Sequence, residues 1–213
     1  MTSRELVFYT HPQSRGRIVR WMLEELGVPY RTELLVYGAS MKAPEYLAVN
    51  PLGKVPALRH GDLVVTEVAA ICAYLADAFA SKGFAPPCDS PLRGAYYRWL
   101  FFAAGPLEAA VSNHALGFVV PPERKGMMGY GSYEEALDAV EGAVAARAPY
   151  LLGERFGAAD VVVGSHLAFG MHFGTIEKRP AFEAYVSLLE QRPARRRGLE
   201  LDDAAAAASA PRA

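Results

Sequence analysis

Hydroxyl, carboxylate and ammonium groups at the edges of short elements carry the chemistry of this chain. Ser14 closes a breaker-rich stretch, Thr10, His11, Pro12, Gln13 and Ser14, between an apolar strand-like segment and the start of a helical period. A hydroxyl beside a helix N-terminus can stabilise an anion through a hydrogen bond and the helix dipole, or can simply cap the helix. Tyr9, at the end of the strand, offers a second hydroxyl. Glu67 and Val68 open another helix, whose unpaired N–H groups suit a carboxylate while the Glu67 side chain suits a cation. The plainer reading of Glu67 is a charge that complements the dipole. Lys42 and Lys54 are loop cations or solvated surface lysines, and Pro56 after Val55 is a strand-edge proline or part of a specialised turn. His114, His166 and His172 lack a set of metal partners, so no metal is expected.

The elements that must position these groups follow from periodicity. Leu6 to Tyr9 predicts a buried strand. Ile18, Val19, Met22, Leu23 and Leu26 recur at helical spacing until Gly27 and Pro29 end the helix. Tyr30 to Val36 predicts a second strand, and Val55 to Leu58 with Leu63 to Val65 a hairpin around His60, Gly61 and Asp62. A helix over Glu67 to Phe79 closes a small α/β domain, residues 1–80. Gly83, Pro86, Pro87 and Pro91 mark a linker over 81–91. Helical runs at 92–117, 133–148, 158–171 and 180–191 predict an all-helical second domain, residues 92–201. The alanine-rich end, 202–213, is expected to be a disordered tail. Phe156, Gly157 and Asp160 predict the entry of a buried helix, with Asp160 accepting from backbone N–H groups.

Composition narrows the class. The 213 residues are 52% apolar and 21% charged, with 22 basic and 23 acidic residues and a net charge of −1, so neither nucleic acid nor an anionic membrane surface is an expected partner. Cys72 and Cys88 have neither disulfide-framework nor zinc-ligand spacing, which favours a reducing compartment. With no apolar segment of spanning length and a charged N-terminus, a cytoplasmic location is expected.

Three segments in order carry a resemblance: Phe8 to Glu25, where a strand runs through Pro12, Gln13, Ser14, Arg15, Gly16 and Arg17 into a helix, Asn50 to Leu58, and Thr66 to Leu75. Together with Gly153 to Asp160, they make the chain similar to cytosolic glutathione S-transferases. The resemblance implies a thioredoxin-like N-terminal domain followed by a helical-bundle C-terminal domain, a homodimer built from contacts between the two kinds of domain, and a role in detoxification. It implies transfer of the glutathione thiolate to an apolar electrophile, with glutathione as cosubstrate and no tightly bound cofactor. Glutathione-dependent peroxide reduction and a non-catalytic carrier or interaction protein are the alternatives.

By the same resemblance, a cis Val55–Pro56 bond frees the Val55 backbone to pair with the cysteine of glutathione, and Glu67 and Val68 read its γ-glutamyl end. Lys54, or Lys42, meets the glycine carboxylate. Ser14 holds the thiolate, with Tyr9 as the alternative. Val68 stands where the family commonly has serine, and Met41 beside Lys42 where many members have histidine. The gap between Tyr9 and Arg15 favours the serine-type loop, and Phe102, His114 and Phe118 are candidate walls of the substrate pocket.

Overall fold

The computed structural model describes residues 5–146 and 149–209. Four strands form one mixed sheet in the order β2-β1-β3-β4: β1 (Leu6–Thr10), β2 (Arg31–Leu34), β3 (Ala57–His60) and β4 (Leu63–Thr66). β2 runs parallel to β1, which requires a crossover, and the crossover is α1 (Gly16–Leu26). Ile18, Val19, Met22, Leu23 and Leu26 bury their side chains on one face of α1, each contributing about 1.5–3 kcal/mol on transfer from water. Gly27, at φ 62°, ends the helix with its N–H on the Leu23 carbonyl. β3 and β4 are antiparallel neighbours joined at Gly61, and α3 (Val68–Ala78) follows. A short 3₁₀ turn (Ser40–Lys42) and α2 (Pro44–Leu47) fill the segment between β2 and β3.

The remainder is helical: α4 (Leu92–Phe102), α5 (Glu108–Ala115), α6 (Tyr133–Ala146), α7 (Ala158–Phe173), α8 (Pro180–Glu190) and α9 (Pro193–Ser209). An α/β unit followed by helices is the fold class the sequence predicts. The run expected over 92–117 is interrupted by a π-helical turn, Ala103–Leu107, which contains Pro106. A proline supplies no amide hydrogen to the helical ladder, and the wider turn accommodates the gap. Among the described residues no helix is long and apolar enough to cross a membrane.

The chain divides into two compact units, 1–82 with 192–213, and 83–191. The first unit therefore includes α9, which the sequence reading assigned partly to the helical domain and, from residue 202 onward, to a disordered tail. Up to Ser209 that tail is helix. α9 packs along α1 through charge: Arg197 pairs with Glu24, Asp202 with Arg20 at 3.0 Å and Asp203 with Arg17 at 2.5 Å, and Arg192, just before α9, pairs with Glu25. The Arg195 guanidinium lies 4.8 Å from the Trp21 ring, and Gly198 lets α9 approach the Trp21 backbone. Residues 210–213 of the expected tail lie outside the described residues.

In the second unit, Asp160 at the start of α7 is fully buried. Its carboxylate accepts from the Gly157 and Leu151 N–H groups, both at 2.8 Å, and from the Tyr185 hydroxyl at 2.7 Å. Burial pushes its pKa above the ordinary carboxylate value despite these donors. Phe156 packs edge-on against Phe84 and Tyr150.

Candidate functional site

Strand register brings the separate motifs to one end of the sheet. Tyr9 in β1 is opposite Ala57 at the start of β3, and Ala57 is opposite Thr66 at the end of β4. The loop leaving β1, the turn entering β3 and the residue leaving β4 thus share an edge. These are the segments of Ser14, of Val55 and Pro56, and of Glu67 and Val68.

The β1 loop folds on itself. The Ser14 hydroxyl donates to the His11 carbonyl at 2.6 Å and accepts the Gly16 N–H at 2.9 Å, so the side chain both closes the loop and satisfies an amide at the start of α1. His11 accepts the Gln13 N–H on Nδ1 at 3.1 Å, and the Tyr37 hydroxyl donates to the Gln13 carbonyl at 3.2 Å. Gly16 is obligatory at the junction, because a Cβ there would stand 1.9 Å from the Thr10 Oγ1. Tyr9 faces the other side of the sheet. Side chains alternate along a strand. Phe8 lies under Arg20 of α1 and Thr10 against Gly16, so Tyr9 points away from α1, and its ring meets Tyr46 at 5.6 Å between centroids. The Tyr9 and Val55 side chains pack on the same small core of Met41, Tyr46 and Ala57. Burial raises the Tyr46 hydroxyl to about 12, keeping it neutral as a donor.

The Val55–Pro56 peptide is cis. Two buried donors hold the residue before it: the Tyr46 hydroxyl at 2.6 Å and the Asn50 Nδ2 at 2.8 Å both reach the Lys54 carbonyl. Asn50 also accepts the Leu52 N–H, and Gly53 turns at φ 56°, where a Cβ would collide with the Met41 carbonyl at 2.5 Å. Asn50 heads the Asn50–Leu58 motif, but that Asn50 and Tyr46 together brace the turn is not legible from the motif alone. The signal the motif does carry is an amide side chain at the head of a Pro–Leu–Gly segment.

Glu67 is the one non-glycine residue with positive φ among the described residues, at φ 67° and ψ 126°. Such a conformation costs about 1–3 kcal/mol and persists only where the surroundings impose it. It turns the chain sharply from β4 into α3, leaving the exposed Glu67 beside the first N–H groups of α3, which no side chain caps. Val68 supplies the first of these and no hydroxyl.

The two candidate lysines differ. Lys54 is exposed at the turn, whereas the Lys42 ammonium donates to the Leu52 carbonyl at 2.8 Å. Of the candidate pocket walls, Phe102 is half-buried edge-on against Trp99 and packs on the Ala110, Val120, Tyr130 and Ala136 core. His114 stacks on Tyr133 at 3.9 Å, and Phe118 is 51% exposed. No three His, Cys, Asp or Glu side chains among the described residues are grouped as metal ligands.

Relatives resemble this sequence and fold. The family model described as the glutathione S-transferase N-terminal domain matches residues 14–78, the segment from the β1 loop to the end of α3. A glutathione S-transferase of Escherichia coli K12 is 33% identical over 185 residues, which span 82% of this chain and 88% of that protein. A solved glutathione transferase of Methylococcus capsulatus strain Bath shares the fold with a TM-score of 0.77 at 27% identity, over 93% of this chain and 99% of that one. A glutathione transferase of Phanerochaete chrysosporium, solved in complex with oxidized glutathione, gives 0.78 at 25% identity over 94% and 97%. With a family model over residues 14–78 and a relative 33% identical over 82% of its length, the chain belongs to the glutathione S-transferase family.

Proposed function

We propose that the protein binds glutathione at this sheet end, lowers the pKa of its thiol at Ser14, and joins the sulfur to an apolar electrophile. The observation that carries the proposal is the convergence, by register, of the Ser14 loop, the cis turn at Val55 and the strained Glu67 in a member of this family. The Val55 backbone pairs with the cysteine of the tripeptide as a short added strand. The α3 N-terminus takes the γ-glutamyl carboxylate through the Val68 N–H, and Glu67 takes the ammonium. Lys54 meets the glycine carboxylate. Lys42 has the weaker claim to it, because its ammonium is already held by Leu52.

At the reacting end, the Ser14 hydroxyl exchanges its bond to the His11 carbonyl for one to sulfur. A hydrogen bond to an anion is roughly twice as strong as one to a neutral carbonyl, so the exchange favours the thiolate. The thiol proton leaves to solvent, and the sulfur then displaces the leaving group of the electrophile to give a thioether. Tyr9 is the lesser candidate because it faces away from α1 and its loop.

A homodimer is part of the proposal, supported by exposed apolar side chains at Leu63 and Val64 of β4 and at Tyr97 and Phe101 of α4. So is a reducing, cytoplasmic setting, supported by the free thiols of Cys72 and Cys88. A carrier function is the second reading, favoured by the missing hydroxyl at Val68. Retention on immobilised glutathione followed by turnover of an aryl halide separates the two: retention without turnover favours the carrier. Ser14→Ala should raise the pH at which transfer reaches half its maximum and lower kcat, while Tyr9→Phe leaves both near wild type. The opposite pattern overturns the assignment.

A further inference from the structure

The Ser14 loop is held by a charged group that it shares with the last described helix. Arg17, in the first turn of α1, donates Nε to the Pro12 carbonyl at 2.5 Å and Nη2 to Asp203 of α9 at 2.5 Å. The Arg17 side chain is 20% exposed and the Asp203 side chain 66% exposed, so the bridge runs from the flank of the loop out to the surface of α9. The loop carbonyls each have side-chain donors: His11 takes the Ser14 hydroxyl at 2.6 Å and the Thr10 hydroxyl at 3.4 Å, Pro12 takes Arg17, and Gln13 takes Tyr37. Of these donors only Arg17 is charged and only it is tied to another helix.

We infer that Arg17 is the positioning residue of the Ser14 loop and that Asp203 fixes Arg17, so that the last turns of α9 set how well the loop stabilises a thiolate. The inference rests on the reading of Ser14 as the partner of the glutathione sulfur. An arginine side chain free to choose among rotamers holds a carbonyl loosely, and one pinned by a carboxylate at its other end holds it in one place. Misplacing a reacting group by about 1 Å can cost on the order of 100-fold in rate. The remaining ion pairs of α9 supply a control. Arg197 pairs with Glu24 near the other end of α1 and touches no atom of the loop.

The experiment compares Asp203→Asn, Asp203→Glu, Arg17→Lys and Arg197→Met in the full chain. It reads the pH profile of kcat for glutathione transfer to an aryl halide, the ultraviolet absorbance of bound glutathione thiolate, the KM for glutathione, and the thermal midpoint. Asp203 is a surface residue, and its amide variant keeps the shape of the helix. Asp203→Asn and Arg17→Lys should each lower kcat roughly tenfold and move the thiol titration upward toward that of free glutathione. KM should change by less than about twofold, since ground-state binding is not the interaction removed. Asp203→Glu should restore the profile, and Arg197→Met should lower the thermal midpoint without moving the thiol titration. A titration unmoved in both Asp203→Asn and Arg17→Lys, or moved as far by Arg197→Met, overturns the inference while leaving the role of Ser14 intact. If Ser14→Ala, run in parallel, keeps wild-type kcat and titration, the reading of Ser14 falls, and this inference falls with it.

Discussion

Glu67 keeps a backbone conformation that glycine would adopt without strain. Retaining a carboxylate there trades stability for a charge beside the α3 N-terminus. Glu67→Gly should therefore raise stability by about 1 kcal/mol while weakening glutathione binding, a pairing that denaturant titration and calorimetry can read together. Val68→Ser should act in the other direction on affinity alone. One added hydroxyl contact, about 1 kcal/mol, corresponds to roughly fivefold tighter binding. An affinity unchanged by both substitutions removes the α3 N-terminus from the site. At this scale the sequence was informative, because Ser14, Val55, Pro56 and Glu67 stand in short motifs whose order is local. The direction of Tyr9 was not legible. Whether a strand residue faces one layer or the other depends on which helix covers which face, and here α1 sits over Phe8 and Thr10.

Among the elements, α7 shows how one side chain fixes a helix entry. Asp160→Ala would strand the Leu151 and Gly157 amides and the Tyr185 hydroxyl, at about 1–3 kcal/mol each where no water reaches them. A loss on the order of 4 kcal/mol, read by urea unfolding, is the expected outcome. The pH dependence has a definite sign. Burial raises the Asp160 pKa in the folded chain, so its contribution is complete below the unfolded value and is lost as pH rises through the folded value. The stability gap between wild type and Asp160→Asn should accordingly narrow as pH rises from 4 toward 7. Asp160 itself was legible, since an acceptor three residues into a helix is a local device. The interruption at Ala103–Leu107 was not drawn from the sequence, although Pro106 was its signal.

Over the whole chain, the largest difference lies in the last helix. The chain leaves the first unit at Gly83 and returns to it at Arg192, and α9 covers Trp21 and supplies the counter-ion of a buried arginine. Arg20 lies over Phe8, donates to Tyr30 and Thr32, and meets Asp202 with both side chains at or below 5% exposure. Burial by itself lowers the Arg20 pKa, but the charge of Asp202 together with the interactions with Tyr30 and the hydrogen bond to Asp202 outweighs it, and the net shift is upward. Asp202→Ala should cost about 3–5 kcal/mol, because it leaves an uncompensated buried cation rather than an empty space. Removing residues 192–213 should do more: the thermal transition should broaden, and Trp21 emission, read in a Trp99→Phe background, should shift to the red. A truncated chain that melts sharply at the wild-type midpoint would show α9 to be dispensable.

The sequence by itself determined the order of the four strands and of the two long helices in the first 80 residues, the hairpin, the helical remainder and the candidate motifs, while the short α2 stands where it predicted only a loop. Each of these is written in periods and turn residues a few positions apart. Only the tertiary structure decided that β1, β3 and β4 bring those motifs to one sheet end, that Asn50 and Tyr46 brace the turn at Lys54, and that an alanine-rich segment is an ordered helix. That helix has little apolar period to reveal it. Although alanine is the strongest helix former, α9 is fastened through charged residues such as Asp202, whose partner Arg20 lies 182 positions away, and pairing over that distance is set by the folded chain.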